Sequence, residues 1–221
     1  MSRLEGGFCV TVLFVDRFRL LGRGKTRVYF ERSKSSPINL SLDLREGISS
    51  CDPFFQIIPH ATGRLESLSI EGSLQDVAVA TSHLSHPAPL LKHLSIRSSF
   101  GDVPPLPPTL FNGDLSSLRT LSLISVRTEL PWRNMTNLTS FILSYTPPGV
   151  VSVERLLDFF ESAPYLEGVR LRSVTPTAGA QHGRLVSLAC LKSMHIEDNN
   201  PASVLFDHLL IPVGAELEIQ T

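Results

Sequence analysis

Arg170 and Arg172 are the residues of this chain whose type and spacing speak most directly of chemistry. On a β-strand, residues two apart share a face, so both guanidinium groups would point the same way. Together they could grip an acidic or phosphorylated segment through charge-assisted, bidentate bonds, or pair locally with an acid such as Glu197. Other constellations are weaker. Leu21-Gly22-Arg23-Gly24-Lys25-Thr26 looks like the end of a phosphate-binding loop, but such a loop needs a glycine five positions before Gly24, where the chain has Arg19. His83 and His86 would share a helix face, yet no cysteine or carboxylate joins them as a third metal ligand, and Pro87 ends that helix. His60, His93, His182, His195 and His208 are scattered without a ligand pattern. No G-x-S-x-G elbow and no local signature of a thiol nucleophile occurs. The expectation is a chain with no catalytic residue, no cofactor and no metal.

Bulk properties narrow the partners. Twenty Lys and Arg against twenty-one Asp and Glu leave a net charge of −1, without the electrostatic footprint that nucleic acid or an anionic membrane would demand. Cys9, Cys51 and Cys190 are too few and too widely spaced for a disulfide framework. They read as reduced thiols of a cytoplasmic or nuclear protein, with Cys51 and Cys190 buried as small apolar residues. The run Phe8 to Val15 is too short to span a bilayer and lacks a small-residue cleavage site, which leaves it as a buried strand or as a segment foreign to the domain. The sequons at Asn39, Asn134 and Asn137 are of the number that chance supplies in a chain rich in serine and threonine.

What would position the arginines is a repeat. The pattern apolar-x-x-apolar-x-apolar recurs as Leu65-Leu68-Ile70, Leu91-Leu94-Ile96, Leu118-Leu121-Leu123, Leu138-Phe141-Leu143, Leu166-Val169-Leu171 and Leu191-Met194-Ile196. Its first positions lie 26, 27, 20, 28 and 25 residues apart. That is mostly within the period of leucine-rich repeats, in which each unit supplies one short strand and a return segment. Ile38, Leu40, Leu42 and Leu44 alternate with polar residues 28 positions ahead of Leu68 and Ile70, which predicts an earlier rung, and Leu217 with Ile219 predicts a final one.

Return segments should differ. A short helix is expected from Arg23 to Ser33, ended by Pro37. Asp52-Pro53 would start a helix through Ile57 and Ile58, and Ser73 with Asp76 another through Val77, Val79, Ala80 and Leu84. Pro104 to Pro108 favour an extended path, and Trp132 a compact turn wedged between repeats. Val153, Leu156, Leu157 and Phe160 have the i, i+3, i+4, i+7 spacing of an amphipathic helix. Asn200-Pro201 would open a last helix through Val204, Leu205 and Leu209. Helices alternating with strands imply a parallel sheet.

The fold class expected is therefore α/β: an irregular leucine-rich-repeat solenoid with a parallel sheet on one face and helices or loops on the other. Residues 1–22 would be an N-terminal segment, poorly ordered or not native to the domain, and residues 23–221 the repeat domain. Strand alternation turns outward Ser67, Ser69 and Glu71; His93, Ser95 and Arg97; Thr120, Ser122 and Ile124; Ser140, Ile142 and Ser144; Gly168, Arg170 and Arg172; Ser193, His195 and Glu197. From this face the candidate partner-binding residues are Glu71, His93, Arg97, Arg170, Arg172, His195 and Glu197.

The segments Arg27 to Leu40, Gly63 to Ile70, and Leu130-Pro131-Trp132 with Asn137 to Ser140 resemble the leucine-rich-repeat region of the F-box proteins of mushroom-forming fungi. The similarity covers about residues 20 to 221. In that family an F-box of three helices docks on the adaptor of a cullin-RING ubiquitin ligase, and the repeats select the protein to be ubiquitylated. The resemblance implies a protein substrate or partner on the exposed sheet face, and a ligase adaptor as partner only if an F-box lies upstream. Residues 1 to 22 are too short and too β-like to be that F-box. A longer gene product, a different start, or a repeat-only interaction scaffold without ligase docking all fit the chain.

Overall fold

The computed structural model describes residues 10–14, 32–45, 58–99, 106–107, 110–127, 135–147, 149–177, 183–197 and 203–220. The apolar alternation of each rung becomes a strand: β1 (Val10–Phe14), β2 (Ile38–Leu44), β3 (Leu65–Gly72), β4 (His93–Ser98), β5 (Thr120–Ile124), β6 (Ser140–Thr146) and β7 (Gly168–Val174). The short β8 (Val186–Ser187) is followed by β9 (Ser193–Glu197), the short β10 (Leu209–Leu210) and β11 (Glu216–Gln220). Nine of these form one parallel sheet in the order β1-β2-β3-β4-β5-β6-β7-β9-β11, so strands stack in chain order. The protein is α/β with a parallel sheet. The sequence-derived offset of 28 residues holds, since Leu40 pairs with Leu68 and Leu42 with Ile70.

The register places like residues side by side. One inward row runs Leu40, Leu68, Leu94, Leu121, Phe141, Val169 and Met194; the next runs Leu42, Ile70, Ile96, Leu123, Leu143, Leu171 and Ile196. All fourteen are buried. A slip by one residue would expose every one of these side chains, which is why the apolar pattern selects the register. The final rung exists but is open: Leu217 and Ile219 on β11 remain 48% and 54% exposed.

A turn of one kind precedes each of β4, β5, β6, β7 and β9. The amide of the first repeat leucine donates to the carbonyl three residues earlier in Leu91→Ala88, Leu118→Leu115, Leu138→Met135, Leu166→Ala163 and Leu191→Leu188. Both ends of every turn are buried, so the repeat is one apolar position longer than the pattern of strand residues suggests. The middle of each turn faces out, which corrects the expectation for Cys190: it sits at the third turn position and is an exposed free thiol. Cys9 and Cys51 lie outside the described residues, as do Trp132, most of the residues 23–33 and all but the last of the residues 52–58 for which helices are expected.

Two helices behave as the sequence implies. In α1 (Leu74–Ser82) the Ser73 hydroxyl accepts from the Asp76 amide, and Val77 and Ala80 are buried, although Val79 faces solvent. In α2 (Val153–Ser162) Ser152 caps the first turn, and Val153, Leu156, Leu157 and Phe160 are buried together with Phe159. Phe159 lies 4.2 Å from Phe141 of β6, ring centroid to centroid, and so ties the helix to the inward face of the sheet. The helix expected after Pro201 shortens to α3 (Ser203–Phe206); Leu209 leaves it to pair β10 with β8, and Val204 is exposed. Arg184 fastens this small sheet to α2 through Asp158 (2.6 Å) and Glu161 (2.9 Å). Between Leu110 and Gly113 the chain makes a left-handed turn, so the return segment near the proline run is irregular there.

Strand ends carry a feature without a glycine to announce it. Ser125, just past β5, Tyr145 on β6 and Ser173 on β7 adopt positive φ (54°, 56° and 49°) at matching places. The left-handed residue interrupts the alternation and returns the next side chain to the core, where Val126, Thr146 and Val174 form one more buried row.

Candidate functional site

The outward face is a grid of three rows. Asn39, Ser67, His93, Thr120, Ser140, Gly168, Ser193 and Glu216 make the first. Ser41, Ser69, Ser95, Ser122, Ile142, Arg170, His195 and Glu218 make the second, and Asp43, Glu71, Arg97, Ile124, Ser144, Arg172, Glu197 and Gln220 the third, in which Ser144, expected to be exposed, is buried. Neighbouring strands lie about 4.8 Å apart, so side chains in adjacent columns can bond directly.

The seven candidate residues fall into two groups. Glu71 and Arg97 face each other across β3 and β4 at 4.0 Å, with His93 exposed on the same strand as Arg97. Arg170, Arg172, His195 and Glu197 form the second group on β7 and β9. Arg97 and Arg172 are three columns apart, about 14 Å by strand spacing, with Ile124 and Ser144 between them in the third row. The seven do not make one site.

The second group lines a cavity. Arg170, Leu171, Arg172, His195, Ile196, Glu197, Glu218 and Gln220 enclose about 230 Å³ on the outward face. Most of its polar groups hold each other. Arg172 Nε donates to Glu197 at 2.9 Å, and its guanidinium lies 5.2 Å from the centre of the Tyr145 ring. His195 Nδ1 is 2.5 Å from Glu218, and the Gln220 amide donates to the other oxygen of that carboxylate at 2.6 Å. Gln220, and after it His195, hold the Glu218 carboxyl below its usual range. Arg170 is exposed and makes no hydrogen bond or ion pair with a described residue; it acts on Glu218 only through its charge.

Sequence reasoning reaches four of these residues and misses Glu218, Gln220 and Tyr145. The first two were legible, because a rung through Leu217 and Ile219 turns Glu218 and Gln220 outward. Tyr145 was not, since its left-handed conformation carries no residue-type signal. Of the histidine pair, His83 caps the end of α1 and His86 lies beside Ser85. No group of three His, Cys, Asp or Glu side chains gathers as a metal site among the described residues, and no described helix is long and apolar enough to cross a membrane. No protein-family model, curated protein or solved structure matches the chain.

Proposed function

We propose that the chain is a leucine-rich-repeat solenoid that binds a protein on its outward sheet face, as the substrate-recognition part of an F-box subunit of a cullin-RING ubiquitin ligase. The observation that carries protein binding is the in-register grid. Eight consecutive strands present serine, threonine and charged side chains in rows, ending at a polar cavity. Such a surface offers hydrogen bonds along an extended length and suits a partner's chain better than a small molecule. The ligase connection is drawn from the resemblance of Arg27–Leu40, Gly63–Ile70 and Leu130–Ser140 to fungal F-box proteins. The exposed thiol of Cys190 accords with a reducing compartment, cytoplasm or nucleus. In this role the chain performs no catalysis and uses no cofactor; its partners transfer ubiquitin.

The test is photo-crosslinking from the native gene product in its own cells. A crosslinker at Ser95 or Ser122 on the outward face should capture a protein, one at Arg155 on α2 should not, and a cullin-ligase adaptor should co-purify. Arg170→Glu with Arg172→Glu should weaken that capture while leaving the melting temperature in place. Equal capture from Arg155 would defeat the assignment of the face. Capture without an adaptor would replace the ligase role by that of a repeat scaffold, which the same face would serve.

A further inference from the structure

The geometry points to Arg170 as a receptor for a single carboxylate, the side chain of an acidic residue in an unphosphorylated partner segment. The inference rests on reading the outward face as a binding face and names the chemistry that one corner of it takes. A pair of arginines two residues apart suggests a phosphate clamp, and the partners of the two side chains argue otherwise. Arg172 is already engaged, by Glu197 on the neighbouring strand and by the Tyr145 ring. His195 is engaged by Glu218, and Glu218 in turn by Gln220. Arg170 alone keeps its guanidinium free of described partners, at the edge of the 230 Å³ cavity.

Charge sets the limit on what it accepts. Two carboxylates, Glu197 and Glu218, match the two arginines, Arg170 and Arg172, so the arginines give the cavity wall no surplus positive charge. A monoanion can take the fork of Arg170 with the internal pairs left intact. A phosphate dianion carries up to twice the charge and needs a second cation, which Arg172 could supply only by giving up Glu197; it would also sit beside two carboxylates. Glu197 thus acts as the filter against phosphate. Ile142, next to Arg170 in the same row and half-buried, offers an apolar neighbour for the methylene groups of an incoming glutamate.

Three capped hexapeptides, identical except for a central glutamate, glutamine or phosphoserine, test this by NMR titration of the arginine Nε–H resonances, with Arg170 assigned through Arg170→Gln. The glutamate peptide should shift the Arg170 resonance saturably in the parent protein. The glutamine peptide should not, and Arg170→Gln should abolish the effect. The phosphoserine peptide should bind the parent no more tightly than the glutamate peptide. Glu197→Gln, which releases Arg172, should raise phosphopeptide affinity about tenfold. Absence of a saturable Arg170 shift with glutamate, or tenfold tighter binding of phosphoserine to the parent, would overturn the assignment. Because the peptides probe the cavity directly, failure of the titration leaves the crosslinking test of the face standing, whereas failure of the crosslinking removes the partner segment even where the titration shows Arg170 taking a carboxylate.

Discussion

Replacing Thr146 by valine should stabilise this protein. Thr146 stands in the last inward row, paired with Val174 on β7 and placed two residues beyond Ser144 just as Val126 stands two beyond Ile124. It is 5% exposed, and its hydroxyl is a buried oxygen without a hydrogen-bond partner among the described residues. Leaving a hydroxyl unsatisfied in a protein interior costs about 1 to 3 kcal/mol, because the unfolded chain recovers its bond to water. Valine keeps the shape and the β-branch, so strand propensity and packing are retained, beside Val174 on the paired strand. A gain of about 1 to 2 kcal/mol follows, equivalent to a rise of about 2 to 8 °C in melting temperature for a chain of this size. Urea unfolding followed by circular dichroism would measure it as a higher midpoint at constant m. Thr146→Ser, which keeps the hydroxyl and deletes the methyl, should lower the midpoint instead. An unchanged or lower midpoint for Thr146→Val would mean that the oxygen has a partner or that the row tolerates a polar group, and the account of this row would be wrong.

Other perturbations probe different parts of the stack. Gly72→Ala should destabilise by about 1 to 3 kcal/mol in the same unfolding assay, because a Cβ there would come within 2.7 Å of the Leu44 Cβ on the paired strand. Leu121→Ala, at a fully buried position in the middle of the first inward row, should cost about 2 to 5 kcal/mol; a loss below 1 would show that the row collapses to fill the space. Glu218 should titrate below the ordinary carboxylate range, chiefly through Gln220 and then His195. Its folded value is depressed, so the small stabilisation it provides is present above the unfolded carboxylate value and is lost as pH falls through the folded one. Carbon-detected NMR of Glu218 in Gln220→Ala should show that value moving back up, and no movement would remove the amide as the cause.

The rungs were legible because a buried strand face needs its apolar residues two apart, and stacking like rungs needs them at a constant offset; Leu40 and Leu42 therefore match Leu68 and Ile70 by sequence alone. The α2 helix was legible for the same kind of reason, through the 3.6-residue period of Val153, Leu156, Leu157 and Phe160. The turn before each rung could also have been read, since Leu115, Met135 and Leu188 repeat at one offset, and reading it would have placed Cys190 outside.

By itself, then, the sequence determined which apolar side chains of the strands from β2 to β9 pack inward and that the strands run parallel, because the two-residue period and the helical return segments decide those. Only the tertiary structure decided how the outward charges are shared. Glu197 and Glu218 lie 25 and 46 residues beyond Arg172 in the chain but one and two strands away in the sheet. Ion pairing depends on distances of a few ångströms that no spacing in sequence encodes. The same holds for the left-handed turn at Tyr145, where the chain accepts a strained conformation to return Thr146 to the core and brings the ring beside Arg172.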